Sequence, residues 1–486
     1  MKKLICIMLA VSMFLSLAAC KSKDTPAGPT AAPDMTVGPG STGEAQATDQ
    51  PATEEPDATP EPFTPQDPAR AAYDPATDAD NRYSIAEIAL IEAEGGFYWY
   101  TANCDYLMFY DESLEEAIPV CAKPECEHFK DGNTGYQNKD CSAYLECVKH
   151  PSLYNGKLYF IDFYGGVNPN SNGTRMGSRL CRMDPDGTQR EVLKDVYPPG
   201  LDDPDQMLVH RGMIYGTSHE SRVENGEPIR KFRLLALPLE GDETTCRVLY
   251  EFDGQAWGGI RLIGDRCYFW VHYADGEYEE DADGMVITDN LIPGGVIGYW
   301  DAAEEKLHIL FDGTFPKGEV NYLYKMWVTP DETIYVVTQN GIGKLEDGEI
   351  KEVVSCADDE HEFTVPELSD GIMILRETHD RRYVPENDPI WWIMTYDGTT
   401  LYKAPLPMDW TEDMEWADKL RSKKGYFFSY IGGDETGIYV EFATDWTDLE
   451  GGVYQGTVLV RYDLVGGELI PNVLDTLYSG WTENMG

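Results

Sequence analysis

The sequence is poor in positive charge. Against 86 Asp and Glu it has 38 Lys and Arg, which gives a formal net charge of −48 and a pI of about 4.3. A field of that sign adds to phosphate repulsion and displaces no counterions, so nucleic acid and anionic lipid surfaces are excluded as partners through a basic patch. The charge reads as a solubility device on an exported protein. Histidine is scarce, with 8 residues. His210, His219, His272, His308 and His379 stand apart, and His361-Glu362 has no second His one helical turn on. The chain also lacks a G-x-S-x-G elbow, a P-loop and a dinucleotide fingerprint. After the first 20 residues no apolar run approaches membrane-spanning length. Between 82 and 480 there is no clear amphipathic helix, and the best candidate, 409–424, reads as a loop helix.

What is present begins with a leader over residues 1–19. It has Lys2-Lys3, an apolar core over 4–17, and the ending Leu17-Ala18-Ala19-Cys20. The core is too short for a permanent membrane helix. The ending resembles the lipobox of bacterial lipoproteins. That resemblance implies signal-peptide cleavage before Cys20, acylation of its thiol, and attachment to the extracytoplasmic face of the cell membrane through diacylglyceryl-Cys20. A long Pro/Thr-rich spacer suits a Gram-positive surface. Residues 20–81 are that spacer, rich in Pro, Thr, Ala, Gly and acidic residues. They hold too few large apolar residues to offset chain entropy, so a disordered tether is expected. A flexible coil of this length reaches on the order of 40–50 Å.

From 82 onward one pattern recurs. A tight-turn residue is followed by an apolar-Tyr strand at Gly96-Phe97-Tyr98, Gly156-Lys157-Leu158-Tyr159, Gly212-Met213-Ile214-Tyr215, Gly264–Tyr268, Asp331–Tyr335, Gly371-Ile372-Met373 and Gly437-Ile438-Tyr439. An alternating strand then follows each one, as over 106–111, 179–184, 233–239, 296–301, 341–345, 392–397 and 458–463, and after it a short apolar edge. The pattern spells two consecutive hairpins, with Gly or Asn supplying the positive φ of the turn. A four-stranded sheet cannot bury both faces alone, whereas sheets stacked around an axis can. Seven such units predict an all-β, seven-bladed β-propeller over 82–480. The match is weakest at blade 6, and six or eight blades are the neighbouring alternatives.

One segment falls outside the repeat. Residues 120–144, between blades 1 and 2, carry Cys121, Cys126, His128 and Cys141 in a C-x4-C-x-H-x12-C order. Three thiolates and an imidazole make a tetrahedral shell for Zn²⁺, and a loop so poor in apolar residues gains order from such a clip. Disulfides are the alternative in an exported protein, for example Cys121–Cys126 with Cys141–Cys147. A closed four-ligand shell has no open position, so either reading is structural. Of the remaining cysteines, Cys181 and Cys267 read as small core residues, while Cys104, Cys246 and Cys356 lie near turns or strand ends. The lipobox, the repeat and the matching Cys121, Cys126, His128, Cys141 and Ala143 together resemble the uncharacterised β-propeller lipoproteins of gut clostridia (Firmicutes), which carry a Cys…Cys-x-His…Cys-x-Ala insert after the first blade. That resemblance implies a fold and an address and brings no activity with it.

Asp281-Ala-Asp283-Gly284 lacks the terminal bidentate Glu of a calcium loop and reads as a solvated insertion in blade 4. Trp391, Trp392, Trp410, Trp416, Trp446 and Trp481 are candidates either for packing between blades or for stacking on sugar rings at the axial mouth. The expectation is a surface-anchored, non-enzymatic binding or scaffold module for a glycan or protein ligand. The alternative is a carbohydrate-active enzyme, a glycoside hydrolase or lyase with paired carboxylates at the mouth. Fold alone does not choose between them.

Overall fold

The fold is taken from a computed structural model. It describes residues 63–482 apart from 81–82, 84–87, 102–105, 131–135, 139, 146–148, 168–174, 198–203, 225–226, 276–278, 281–285, 288–291, 316–322, 339–340, 356–365, 377–381, 384–388, 414–425 and 448–451. The lipobox and Cys20, most of the tether, Cys104, Cys147, Cys356, His361, His379, Trp416 and the Asp281–Gly284 turn therefore lie outside the described residues.

Seven antiparallel sheets form a β-propeller, as the repeat predicts. Six are built from four strands in chain order, and the blade 7 sheet has a fifth, Arg382–Tyr383, which lies within the span of blade 6 and pairs with Tyr426 and Phe427. Blade 1 is Ile88–Ala93, Gly96–Thr101, Tyr106–Asp111 and Glu116–Pro119. Blade 2 is Lys149–Tyr154, Lys157–Val167, Arg175–Met183 and Glu191–Tyr197. Blade 3 runs from Pro204–His210 to Arg247–Asp253, blade 4 from Ala256–Ile263 to Lys306–Thr314, and blade 5 from Lys325–Val328 to Glu349–Ser355. Blade 6 has the shortest first strand, Glu367–Leu368, which explains its weak signature. Blade 7 has the longest strands, ending in Glu468–Thr482. Tyr159, Tyr215, Tyr335 and Tyr439 all lie in second strands. Two small hairpins are insertions: Phe129–Lys130 with Tyr136–Gln137 after blade 1, and Glu279–Glu280 with Val286–Ile287 inside blade 4. Among the described residues the helices are the single turn Pro68–Ala71 and the 3₁₀ turn Asp409–Asp413, within the span read as a loop helix.

The alternation of side chains along each strand explains the ring. In the second strand of blade 4, Cys267, Phe269 and Val271 pack towards blade 3, while Tyr268 packs towards blade 5. In blade 5, Ile334 and Val336 face blade 4, and Val337 faces blade 6. Both pleat faces are apolar, so each blade needs a neighbour on either side. The last junction is of the same kind, with Ile431, Tyr439, Leu459 and Leu474 of blade 7 sharing a core with Leu90, Phe97 and Trp99 of blade 1. Cys181 and Cys267 are buried core residues, as expected.

The structure corrects one boundary. Residues 63–80, assigned to the disordered tether by composition, are packed on the propeller. They cross the turns between first and second strands of blades 2 to 5. The Asn155 N–H donates to Ala76 O at 2.7 Å and the Arg211 N–H to Thr77 O at 2.8 Å. The Gln66 side chain donates to Ile263 O and to Glu332 Oε1 and accepts from the Asp265 N–H. Arg70 pairs with Asp265 and Asp301, and Arg211 with Asp78 and Asp265. The approach is so close at Gly264 (φ +60°) that a Cβ would stand 2.7 Å from Arg70 O. Pro-rich composition hides this contact because its anchors are polar and lie mainly on the partner turns.

Phe269 is fully buried between blades 3 and 4. Phe269→Ala is expected to cost about 3–5 kcal/mol, and Val353→Ala on an exposed outer strand no more than about 0.5 kcal/mol, as read from denaturant midpoints.

Candidate metal centre

The insert grows out of the outer edge of blade 1. Val120 continues the fourth strand, its N–H donating to Leu107 O at 3.0 Å. The chain then leaves the sheet through a turn at Lys123, where the Cys126 N–H donates to Lys123 O at 3.1 Å. It reverses in the Phe129–Lys130 and Tyr136–Gln137 hairpin and comes back at Asn138, whose carbonyl accepts the Cys141 N–H at 2.8 Å. The returning Ala143 and Tyr144 rejoin the same edge, through Leu107 N–H to Ala143 O at 2.9 Å and a bridge between Tyr144 and Tyr106. The Tyr106 hydroxyl holds both arms. It donates to His128 O at 2.5 Å and accepts the Asn138 N–H at 2.9 Å.

This path brings together the four predicted residues. The ligand atoms of Cys121, Cys126, His128 and Cys141 all lie within 4.8 Å of one another, and the cluster could hold a metal ion. His128 Nδ1 is 3.5 Å from Cys141 Sγ. Bonds of about 2.3 Å to sulfur and about 2.0–2.1 Å to nitrogen at a tetrahedral angle give an edge of about 3.5 Å. Each sulfur also has an N–H donor. Backbone N–H groups of Lys123 and Ser142 serve Cys121, that of Ala143 serves Cys141, and Asn138 Nδ2 lies 3.7 Å from Cys126 Sγ. Such donors stabilise thiolates and fix their direction, the role of outer partners at a metal site. Cys121, Cys126 and Cys141 stand as separate cysteines in this arrangement.

Without a cation the thiols separate in acidity. Burial works against ionisation at Cys121 but is outweighed by its N–H donors and the two neighbouring thiols, which bring it down to about 7. Burial pushes Cys141 up to about 12, and burial together with the Cys121 charge raises Cys126. A bound divalent ion would override this order and hold all three thiols ionised, because its own charge would then be the largest in the site.

Among the described residues, polar groups on or beside the first strands of blades 4 to 6 are paired with one another. Arg261, on the first strand of blade 4, stacks over Trp327 of blade 5 at 3.7 Å and donates to Tyr83 O at 3.1 Å. Burial lowers its pKa to about 10, with Tyr396, Tyr430, Asp80 and Asp370 opposing the shift. Asp301 of blade 4 and Glu332 of blade 5 meet on Arg266, and all four of their oxygens accept hydrogen bonds. Glu367 of blade 6 is held by Lys325 and Arg376. Trp391 is buried between blades 6 and 7 against Phe428, and Trp410 donates to the Tyr462 hydroxyl, so both are packing residues. Trp392 is partly buried under Lys403 on blade 6. For Trp446 and Trp481 only the backbone, in blade 7 strands, is described. His210 is buried, and His272 is partly buried, with its pKa pushed down to about 4 by desolvation. His308 stacks on Tyr299, and His219 meets Phe232 edge-on. Among the described residues no helix is long and apolar enough to cross a membrane.

No protein-family model matches the chain, and no curated protein matches it in sequence. Solved structures resemble it at low identity. An acylaminoacyl peptidase has 10% identity and a TM-score of 0.40, over 82% of this chain and 54% of that one, so the chain spans about half the peptidase's length. The β-propeller domain of the trilobed protease from Pyrococcus furiosus, described as having an open velcro topology, has 10% identity and a TM-score of 0.41, over 83% of this chain and 97% of that one. A PL25 ulvan lyase has 12% identity and a TM-score of 0.33, over 83% and 87%.

Tyr106→Phe removes the hydroxyl that joins both arms of the insert and leaves the Asn138 N–H unsatisfied. The expected cost is about 1–3 kcal/mol by denaturant titration, with exchange protection lost first at Asn138 and Cys141.

Proposed function

We propose that the protein is a lipoprotein held at the extracytoplasmic membrane surface through diacylglyceryl-Cys20. Its propeller is a binding or scaffold module for a glycan or protein ligand, and its insert is fastened by a structural Zn²⁺ on Cys121, Cys126, His128 and Cys141. The observation that carries the reading is saturation. The Cys/His shell has four donors and no open position, and every oxygen of the two carboxylates that meet on Arg266 is already engaged in a hydrogen bond within the protein. The metal's part is to order a segment that has little apolar surface of its own and to tie it to blade 1.

The full chain, purified and screened on a glycan array and against polysaccharide substrates, is expected to be retained on a ligand without turnover. Release of new reducing ends or unsaturated sugars would overturn the non-enzymatic reading. Elemental analysis is expected to give about one zinc per chain, falling to near zero in Cys126→Ser. A wild-type protein that folds metal-free with its thiols oxidised would overturn the zinc assignment. Metabolic labelling with a fatty acid is expected to mark the wild type and not Cys20→Ala.

A further inference from the structure

The ring has a seam. Blade 1 is complete within its own consecutive strands, and the one added strand of the blade 7 sheet, Arg382–Tyr383, comes from the span of blade 6, so no strand is shared across the junction of blades 1 and 7. Among the described residues, what crosses it is side-chain packing and Tyr83. The Tyr83 backbone bridges Gly432 of blade 7, its ring meets Tyr439 edge-on at 5.8 Å, and its hydroxyl donates to Glu92 of blade 1 at 3.0 Å. Its carbonyl accepts from Arg261 of blade 4. The residues leading to Tyr83 are those laid over the turns of blades 2 to 5. The N-terminal segment therefore touches blades 1, 2, 3, 4, 5 and 7.

The turns that receive it depart from ordinary turn chemistry. Arg211 (φ +46°) and Glu332 (φ +61°) hold left-handed conformations that favour Gly or Asn. Both side chains bind the segment. Arg211 binds Asp78, Arg70 O and Ala72 O, and Glu332 accepts from the Gln66 N–H and side chain. His210 is the third contact. Its Nδ1 accepts the Ala79 N–H at 3.0 Å, and its Nε2 lies 2.7 Å from Gly264 O. That pair of partners requires the neutral ring with its proton on Nε2, because a proton on Nδ1 would face the Ala79 N–H.

We propose that residues 63–80 and Tyr83 form a clasp that holds the ring shut across the seam between blades 7 and 1, and that acid releases it through His210. The charged groups around His210 are Asp78 on the segment, Arg211 on its own turn, and Asp265 on the turn of blade 4, with Arg70 and Asp301 behind Asp265. Burial holds His210 below its ordinary value, while Gly264 O, Asp78 and Asp265 pull the other way. A docked value below the free one means that the undocked state takes up the proton first. Docking is at full strength above about pH 6.5 and weakens as pH falls below it. Asp78, Asp265 and Asp301 are also held low, burial being outweighed by Arg211, by Arg70 with Arg211, and by Arg266 respectively. Their contribution is complete above about pH 4 and is lost below it, so every one of these groups weakens the clasp in the same direction.

Hydrogen exchange on the full chain tests this. Between about pH 7.5 and about pH 5, after correction for intrinsic rates, protection of the Ala79, Asn155 and Arg211 amides is expected to fall by at least about tenfold, with Gly432 and Tyr439 at the seam following and Phe269 unchanged. His210→Asn offers Ala79 a neutral acceptor that does not titrate, and is expected to flatten the response. Arg211→Ala is expected to expose the same amides already at neutral pH. Should either variant fail to fold, the wild-type pH series decides alone. Undiminished protection of Ala79, Asn155 and Arg211 at the lower pH would overturn acid release. A loosened segment with unchanged protection at Gly432 and Tyr439 would overturn the clasp.

Discussion

The structure depends on one constraint: every four-stranded sheet is apolar on both faces. Tyr268 looks one way and Phe269 the other, and neither can be left in water. A sheet of this kind has no stable existence alone, and a stack of them has the same problem at its two ends. Bending the stack into a ring removes the ends. The propeller is the form in which seven copies of this sheet satisfy one another, and the apolar cores sit at the junctions between blades and not within them.

The same constraint explains where the remaining chemistry is found. Positions inside the blades are committed to packing, so polar function goes to turns and to segments outside the repeat. Arg211, Asp265, Arg266 and Glu332 are all at or beside turns between first and second strands, and they hold a piece of chain from outside the ring. Cys121, Cys126, His128 and Cys141 sit on a connection between blades and are aimed by an edge that has already formed. In each case the sheet sets the position and the polar residue supplies the selectivity.

Much of the fold was legible because the signal is local. Asn155-Gly156 forces a reversal, and the apolar-Tyr strands beside it have the period of a pleat, so the hairpins and their number could be read directly. The metal-type cluster was legible for a similar reason, since Cys and His at short spacing in a polar loop have few other uses. The clasp was not. Its anchors, Gln66, Arg70 and Asp78, lie in a stretch whose Pro and acidic content marks it as linker, and their partners are up to 266 residues away in sequence. A signal did exist on the other side. Blade 5 has Asp331-Glu332 where other blades have Gly, and blade 3 has Arg211 where blade 2 has Asn155. A repeat that breaks its own turn rule between the first and second strands of blades 3 and 5 is marking a contact.

Residues 63–80 also act as a ruler. They meet Glu332 and Asp265 through Gln66 and Arg70, Asn155 through Ala76, and Arg211 through residues 70 to 78. A propeller held only by like-on-like packing can gain or lose a wedge by duplication with little penalty. Here an added wedge between blades 2 and 5 would put the later anchors out of step with their turns, and a deleted one would leave slack. Four consecutive blades are thus tied to one another by a length of polypeptide that belongs to no blade.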